Sequence, residues 1–173
     1  QLFVISGAFS IKLSTTSIEL FADGHIAFTP GGTTLFEARV QALLLAGVIE
    51  LGDRNNDGVD DGTVAGLAGK FKLGANFTLP GVSIGGSLDV LFNTTGKDIN
   101  WTVPVFLRGA TGYSSITISG TAQKLNPGFD PNAAGGLQNG GSALTADTAK
   151  GAGAYLAIGG LAQASITILG QEV

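Results

Sequence analysis

Between Asp53 and Asp61 the chain reads Asp-Arg-Asn-Asn-Asp-Gly-Val-Asp-Asp, with oxygen-bearing side chains at alternate positions and a glycine where the run must turn. A hard cation asks for that spacing. Calcium takes six to eight oxygens at about 2.3 to 2.6 Å, so a short loop serves it with carboxylates or amides at positions 1, 3 and 5 and a backbone carbonyl at 7. Asp53, Asn55 and Asp57 fill the first three positions, and the carbonyl of Val59 fills the fourth. Gly58 supplies the turn, and Asp61 stands at position 9, binding directly or through a water. Asp53, Asp57, Asp60 and Asp61 crowd around one arginine, Arg54, and such acids repel one another without a counter-ion. The competing reading is a solvated turn between strands, which Asn, Asp and Gly favour by themselves.

The pattern D-x-N-x-D-G-x-x-D resembles the calcium loops of thrombospondin type 3 repeats and, more distantly, those of dockerins and EF-hands, over these nine residues. Position 12 is Val64 where an EF-hand carries Glu, and no helical pattern flanks the loop. The resemblance therefore implies calcium without a helix-loop-helix, with a further ligand from Asp60, Glu50 or another strand.

Other chemistry finds little support. The single histidine, His25, follows Asp-Gly in a strand-like run, and no G-x-S-x-G elbow accompanies it. Walker loops, H-E-x-x-H and dinucleotide fingerprints are absent. Outside the loop the acids are isolated, so no pair of carboxylates suggests glycoside hydrolysis, and the chain does not read as an enzyme. Sequons begin at Asn76, Asn93 and Asn100; only Asn93 falls in a predicted turn, which makes it the candidate glycosylation site.

The surrounding composition is unusual. Charged residues make up 13 % of the 173, against about 25 % in ordinary domains, while 44 % are hydrophobic and 28 are glycine. So little charge points to large buried sheets or to life inside an assembly. A net charge of -4 without any basic cluster excludes a nucleic-acid partner. Cysteine is absent, which rules out disulfides and zinc-thiolate sites and suits a bacterial surface protein. Methionine is absent too, so the expectation is a processed chain or a segment of a longer one. No apolar run reaches the roughly 18 residues of a membrane-spanning helix.

The elements that must position the loop read as strands. Residues 2–14 alternate as a half-buried strand, with Phe3, Ile5, Phe9, Ile11 and Leu13 on one face. Ser14 to Ser17 predicts a turn, Asp23-Gly24 a two-residue hairpin, and Pro30-Gly31-Gly32 the close of a meander. The apolar run from Leu35 to Leu51 predicts two strands bent near Gly47 in preference to a helix, because it lacks helix caps. Residues 70–92 predict a long hairpin turning at Pro80-Gly81, then a turn at 93–96. Ile99 to Leu107 predicts a strand in which Pro104 marks an edge or bulge, with Trp101 in phase with Val103 and Val105 and so in the core. Residues 124–153, rich in Gly, Asn and Pro, predict a long surface loop. The near-identical words Ser115-Ile-Thr-Ile-Ser-Gly and Ser165-Ile-Thr-Ile-Leu-Gly hint at repeated β units.

These features predict an all-β protein of antiparallel hairpins, in a sandwich or an elongated repeat module. It would form a single module over 1–173, with possible sub-units at 1–62 and 63–173. The texture, including the 93–99 run and the Leu-Gly-Gln at 169–171, is similar to tandem units of very large secreted bacterial surface proteins. That likeness implies an extracellular, calcium-stabilised fibre, sheath or adhesin whose partner is itself, joined through apolar β surface and strand edges. Two alternatives remain. One is a glycan-binding sandwich stacking sugar on Trp101, Tyr113 or Tyr155; the other is an outer-membrane barrel, which would need aromatic girdles at both strand ends.

Overall fold

β-Branched and aromatic residues at alternate positions extend the chain into long strands, and tight polar turns reverse it between them. The computed structural model describes residues 2–55, 57–125, 144–147, 151–168 and 171–172. In chain order these form β1 (Phe3–Leu13), β2 (Ser17–Phe28), β3 (Phe36–Glu50), β4 (Thr63–Leu79), β5 (Val82–Asn93), β6 (Ile99–Thr102), α1 (Val105–Thr111), β7 (Ser115–Ile118), β8 (Gln123–Leu125), β9 (Leu144–Ala146), β10 (Tyr155–Ile168) and β11 (Gln171–Glu172). The fold is all-β. One antiparallel sheet runs β1-β2-β3-β4-β5-β10-β11, while β6 pairs with β7 and β8 with β9 in two small ribbons.

Several expectations are corrected. β2 passes straight through Asp23-Gly24, because Asp23 and Gly24 pair with Ala8 and Gly7 on one side and with Gln41 and Val40 on the other. The hairpin lies instead at Ser14 to Ser17, where the Ser14 hydroxyl accepts the amides of Thr16 and Ser17. β3 is one strand rather than two; Gly47 sits in it at φ 93, where any Cβ would run into the Thr16 carbonyl. The predicted strand at 99–107 stops at Thr102. Pro104, whose ring fixes φ near the helical value and which has no amide to lose, stands just before α1, so Val105 and Leu107 are helical. Part of the predicted loop at 124–153 forms β8 and β9; residues 126–143, with Phe129 and Leu137, lie outside those described. The proposed division at 62/63 falls inside the β3–β4 hairpin, which is paired from Phe36–Phe77 to Glu50–Thr63.

The two faces of the large sheet differ in kind. Register places Phe3, Phe28, Phe36, Phe77 and Ile84 in one row across the sheet, and Ile11, Leu20, Leu44, Gly69, Phe92 and Leu156 in another. From the phenylalanine row to the row of Leu13, Ile18, Ala46 and Leu67, every position on this side is apolar or glycine. This face is open: Ile5 is 77 % exposed, Phe9 61 %, Ile158 63 %, and Leu73 and Leu88 nearly half. The alternation predicted the apolar side of each strand to be the buried one. The reverse holds, since the unit β6-α1-β7 covers the opposite face, packing Ile99, Trp101, Val103, Leu107, Tyr113, Ile116 and Ile118 on Phe21, Leu43, Leu45, Ala68 and Leu91.

Candidate functional site

The acidic loop joins β3 to β4 and is clamped at its base. The Leu51 amide donates to the Gly62 carbonyl (2.9 Å) and the Asp61 amide to Gly52 (3.0 Å). β6 grips the same base, since the Asn100 amide donates to the Leu51 carbonyl and its side chain to the Asp53 carbonyl at 3.1 Å. Within the loop, the Asp53 carboxylate accepts the amides of Asp57 (3.1 Å) and Gly58 (2.8 Å). Asn55 Oδ1 also accepts the Asp57 amide, Asn55 Nδ2 donates to Asp57 Oδ2, and Asp57 Oδ1 accepts the Val59 amide at 2.9 Å. These bonds draw Asp53, Asn55 and Asp57 together around the loop amides, as a polar turn of Asn, Asp and Gly also does.

The other acidic candidates make different contacts. Asp61 accepts the Arg54 amide (2.8 Å) and Arg54 Nε (3.2 Å), and these bonds hold its carboxyl below the ordinary carboxylate range. Asp60 and Glu50 line a cleft of about 230 Å³ between the β2–β3 end and β6, together with Lys12, Glu19 and Trp101. Val59 is exposed. Among the described residues no three Asp, Glu or His side chains converge; the trio that does converge is two acids and an amide.

A second polar constellation went unanticipated. On the covered face Asp23, Gln41, Lys72 and Asp89 stand in one register row, all buried, with buried Lys70 one row away. Asp23 anchors it, accepting from Gln41 Nε2 (3.2 Å) and from the Tyr113 hydroxyl (2.9 Å), with Arg39 Nε 3.8 Å away. Burial dominates the titration here. It lowers Lys70 to about 8 although Asp89 opposes this, and it raises Asp89 to about 6 although Lys72 and Lys70 oppose that. Gln41 Oε1 and Ser87 Oγ are buried without a hydrogen-bond partner. The signal is present in the sequence: Asp23, Arg39, Gln41, Lys70, Lys72 and Asp89 all occupy the phase opposite to the apolar series.

Two further expectations change. Asn93 is wholly buried; its Nδ2 donates to the carbonyls of Lys97 and Ser119 (both 2.9 Å), and its Oδ1 accepts the Thr95 amide and hydroxyl. A nitrogen so committed is closed to glycosylation in the folded chain, and Asn93 serves as a turn-locking residue. Trp101, Tyr113 and Tyr155 are all buried on the covered face, where the indole donates to Glu19 (3.0 Å), so none presents a ring for sugar stacking. His25 bonds Glu37 at 2.7 Å on the same face.

Comparison with protein-family models, with curated proteins and with solved structures finds no match for the chain. The functional reading therefore rests on the geometry of the chain itself.

Proposed function

We propose that this chain is a structural module of an extracellular assembly, built to bury the open face of its sheet against apolar surface of its own kind. One observation carries the reading: among the described residues, the exposed large hydrophobics of the sheet fall on one side, across every long strand. Strands about 4.8 Å apart and about 3.3 Å per residue give that side an area on the order of 900 Å², well above the largest apolar patch usual on a monomer. It is also about what one partner buries in a stable protein interface.

A lipid-facing wall is the second reading, favoured by the burial of charged residues behind an apolar exterior. Among the described residues no helix is long and apolar enough to cross a membrane, which says nothing about strands. Tryptophan and tyrosine, which mark the headgroup level in membrane barrels, are turned to the covered face, leaving the open face without such anchors. That weighs for protein as the partner. Light scattering in detergent-free buffer, beside flotation with phosphatidylcholine vesicles, tests the choice. Multi-copy particles that stay out of the vesicle fraction support self-assembly; single copies that float with vesicles contradict it.

Calcium belongs to the same proposal, as a brace at the loop end of the β3–β4 hairpin, held by Asp53, Asn55, Asp57, the Val59 carbonyl and Asp61. Asp61 would exchange Arg54 for the ion.

A further inference from the structure

We infer that the free edge of β10 receives β1 of a second copy as its next antiparallel strand, so that copies add head to tail into one continuous sheet. The inference rests on the assembly reading and fixes its geometry. Four observations on the backbone support it.

Among the described residues neither edge carries a full-length partner strand: β1 pairs only with β2, with α1 packed beside it, and beyond β5 the only strand paired with β10 is β11, at Thr167–Glu172 and Ile168–Gln171, with β8 close by but unpaired to it. That short pairing shows an antiparallel strand seated on this edge, and among the described residues no strand is paired to the outer side of β10 from Tyr155 to Ile166, a stretch about as long as β1.

Direction agrees. Neighbours alternate in direction from β1 through β2, β3, β4 and β5 to β10, so β10 runs opposite to β1. A copy placed in the same orientation presents its β1 antiparallel to β10 without being turned over.

Phase agrees as well. In that orientation Phe3, Ile5 and Phe9 of the incoming strand continue the side on which Leu156 and Ile158 already lie. The apolar face then passes unbroken from one copy to the next.

Finally, the edges lack the usual protection. The Leu2 carbonyl and the Ser14 amide bond toward β2, so the amides and carbonyls of the odd residues of β1 point outward. Neither β1 nor β10 contains proline, β10 has no charged residue, and the one charge of β1, Lys12, is tied to Glu19 at 3.0 Å. Natural sheets guard long edges with prolines, charges or bulges, and an edge left without them is a template for pairing. Such head-to-tail contacts are heterologous and grow into filaments unless their rotation closes a ring.

The test uses Ile5→Pro and Ile11→Pro, which delete outward amides and leave the bonds to β2 intact, beside Leu73→Glu on the open face. Particle size is read by light scattering and electron microscopy, with folding checked by circular dichroism. A synthetic peptide of residues 2–14, added in excess to the unaltered chain, provides a readout that needs no variant. The expected result is loss of elongated particles in both proline variants, and growth of the unaltered chain arrested by the peptide at an at least tenfold smaller mean mass. Folded proline variants that assemble as before, with an inert peptide, overturn the edge pairing. If Leu73→Glu alone then abolishes assembly, the assembly reading survives without it; if the unaltered chain is a single copy throughout, both fall.

Discussion

Asp89 and Lys70 pull the stability of this protein in opposite directions along the pH axis. Asp89 has a folded pKa of about 6, above its ordinary value, so between about 4 and 6 the folded chain holds the extra proton and stability declines as pH rises through that window. Lys70, lowered to about 8, is protonated only in the unfolded chain between about 8 and 10.5, so stability recovers as pH rises through that range. Thermal melts should therefore show a shallow minimum near neutrality, and Asp89→Asn should flatten the acid limb; an unchanged acid slope would remove Asp89 from the explanation. Asn93→Ala strips several bonds from a buried turn and should cost about 2 to 4 kcal/mol in urea unfolding. At the loop, a chelator should lower the melting temperature, since an ion at 100 times its dissociation constant contributes about 2.7 kcal/mol. Asp57→Ala should abolish that dependence, and a melt indifferent to chelator withdraws calcium. The gathering of Asp53, Asn55 and Asp57 was legible because a loop ligand set is local in sequence. The Asp23–Gln41–Lys72–Asp89 row was not, because it depends on pairing between four strands.

At the level of elements, most strands were legible from their period of two, and the misreadings share a cause. Asp23-Gly24 carries the local chemistry of a tight turn, yet partners on both sides hold it extended, so tertiary pairing overrides the dipeptide. At Pro104 the apolar alternation of 99–107 continued as sequence while the backbone changed to helix, and the missing proline amide marked the boundary. Gly47 was rightly singled out, although it makes a twist within one strand and not a break between two. Its φ of 93 and the Thr16 carbonyl beside it leave no room for a side chain. Gly47→Ala should destabilise the β2–β3 pairing by on the order of 2 kcal/mol, seen as a lower denaturation midpoint. A neutral substitution would mean that β3 relaxes there at little cost.

For the whole molecule, composition gave the class and periodicity gave the fold, but neither says which side of a sheet is inside. Alternation of apolar and polar residues looks the same whether water or a core lies on the polar side. Here the insertion of β6, α1 and β7 decides it, by laying the apolar residues of its small ribbon and helix on Phe21, Leu43, Leu45, Ala68 and Leu91 of the mixed phase of the large sheet and leaving the wholly apolar phase bare. The low charge noted at the outset follows from this arrangement: much of the apolar content is displayed rather than hidden. The most direct test is sedimentation velocity of the chain at micromolar concentration without detergent, beside the double variant Leu73→Glu, Leu88→Glu, whose sites are cross-strand neighbours on the open face. The account predicts multi-copy species for the unaltered chain and a folded single copy for the variant. An unaltered chain that sediments as a single copy, its apolar face standing in water, would contradict it.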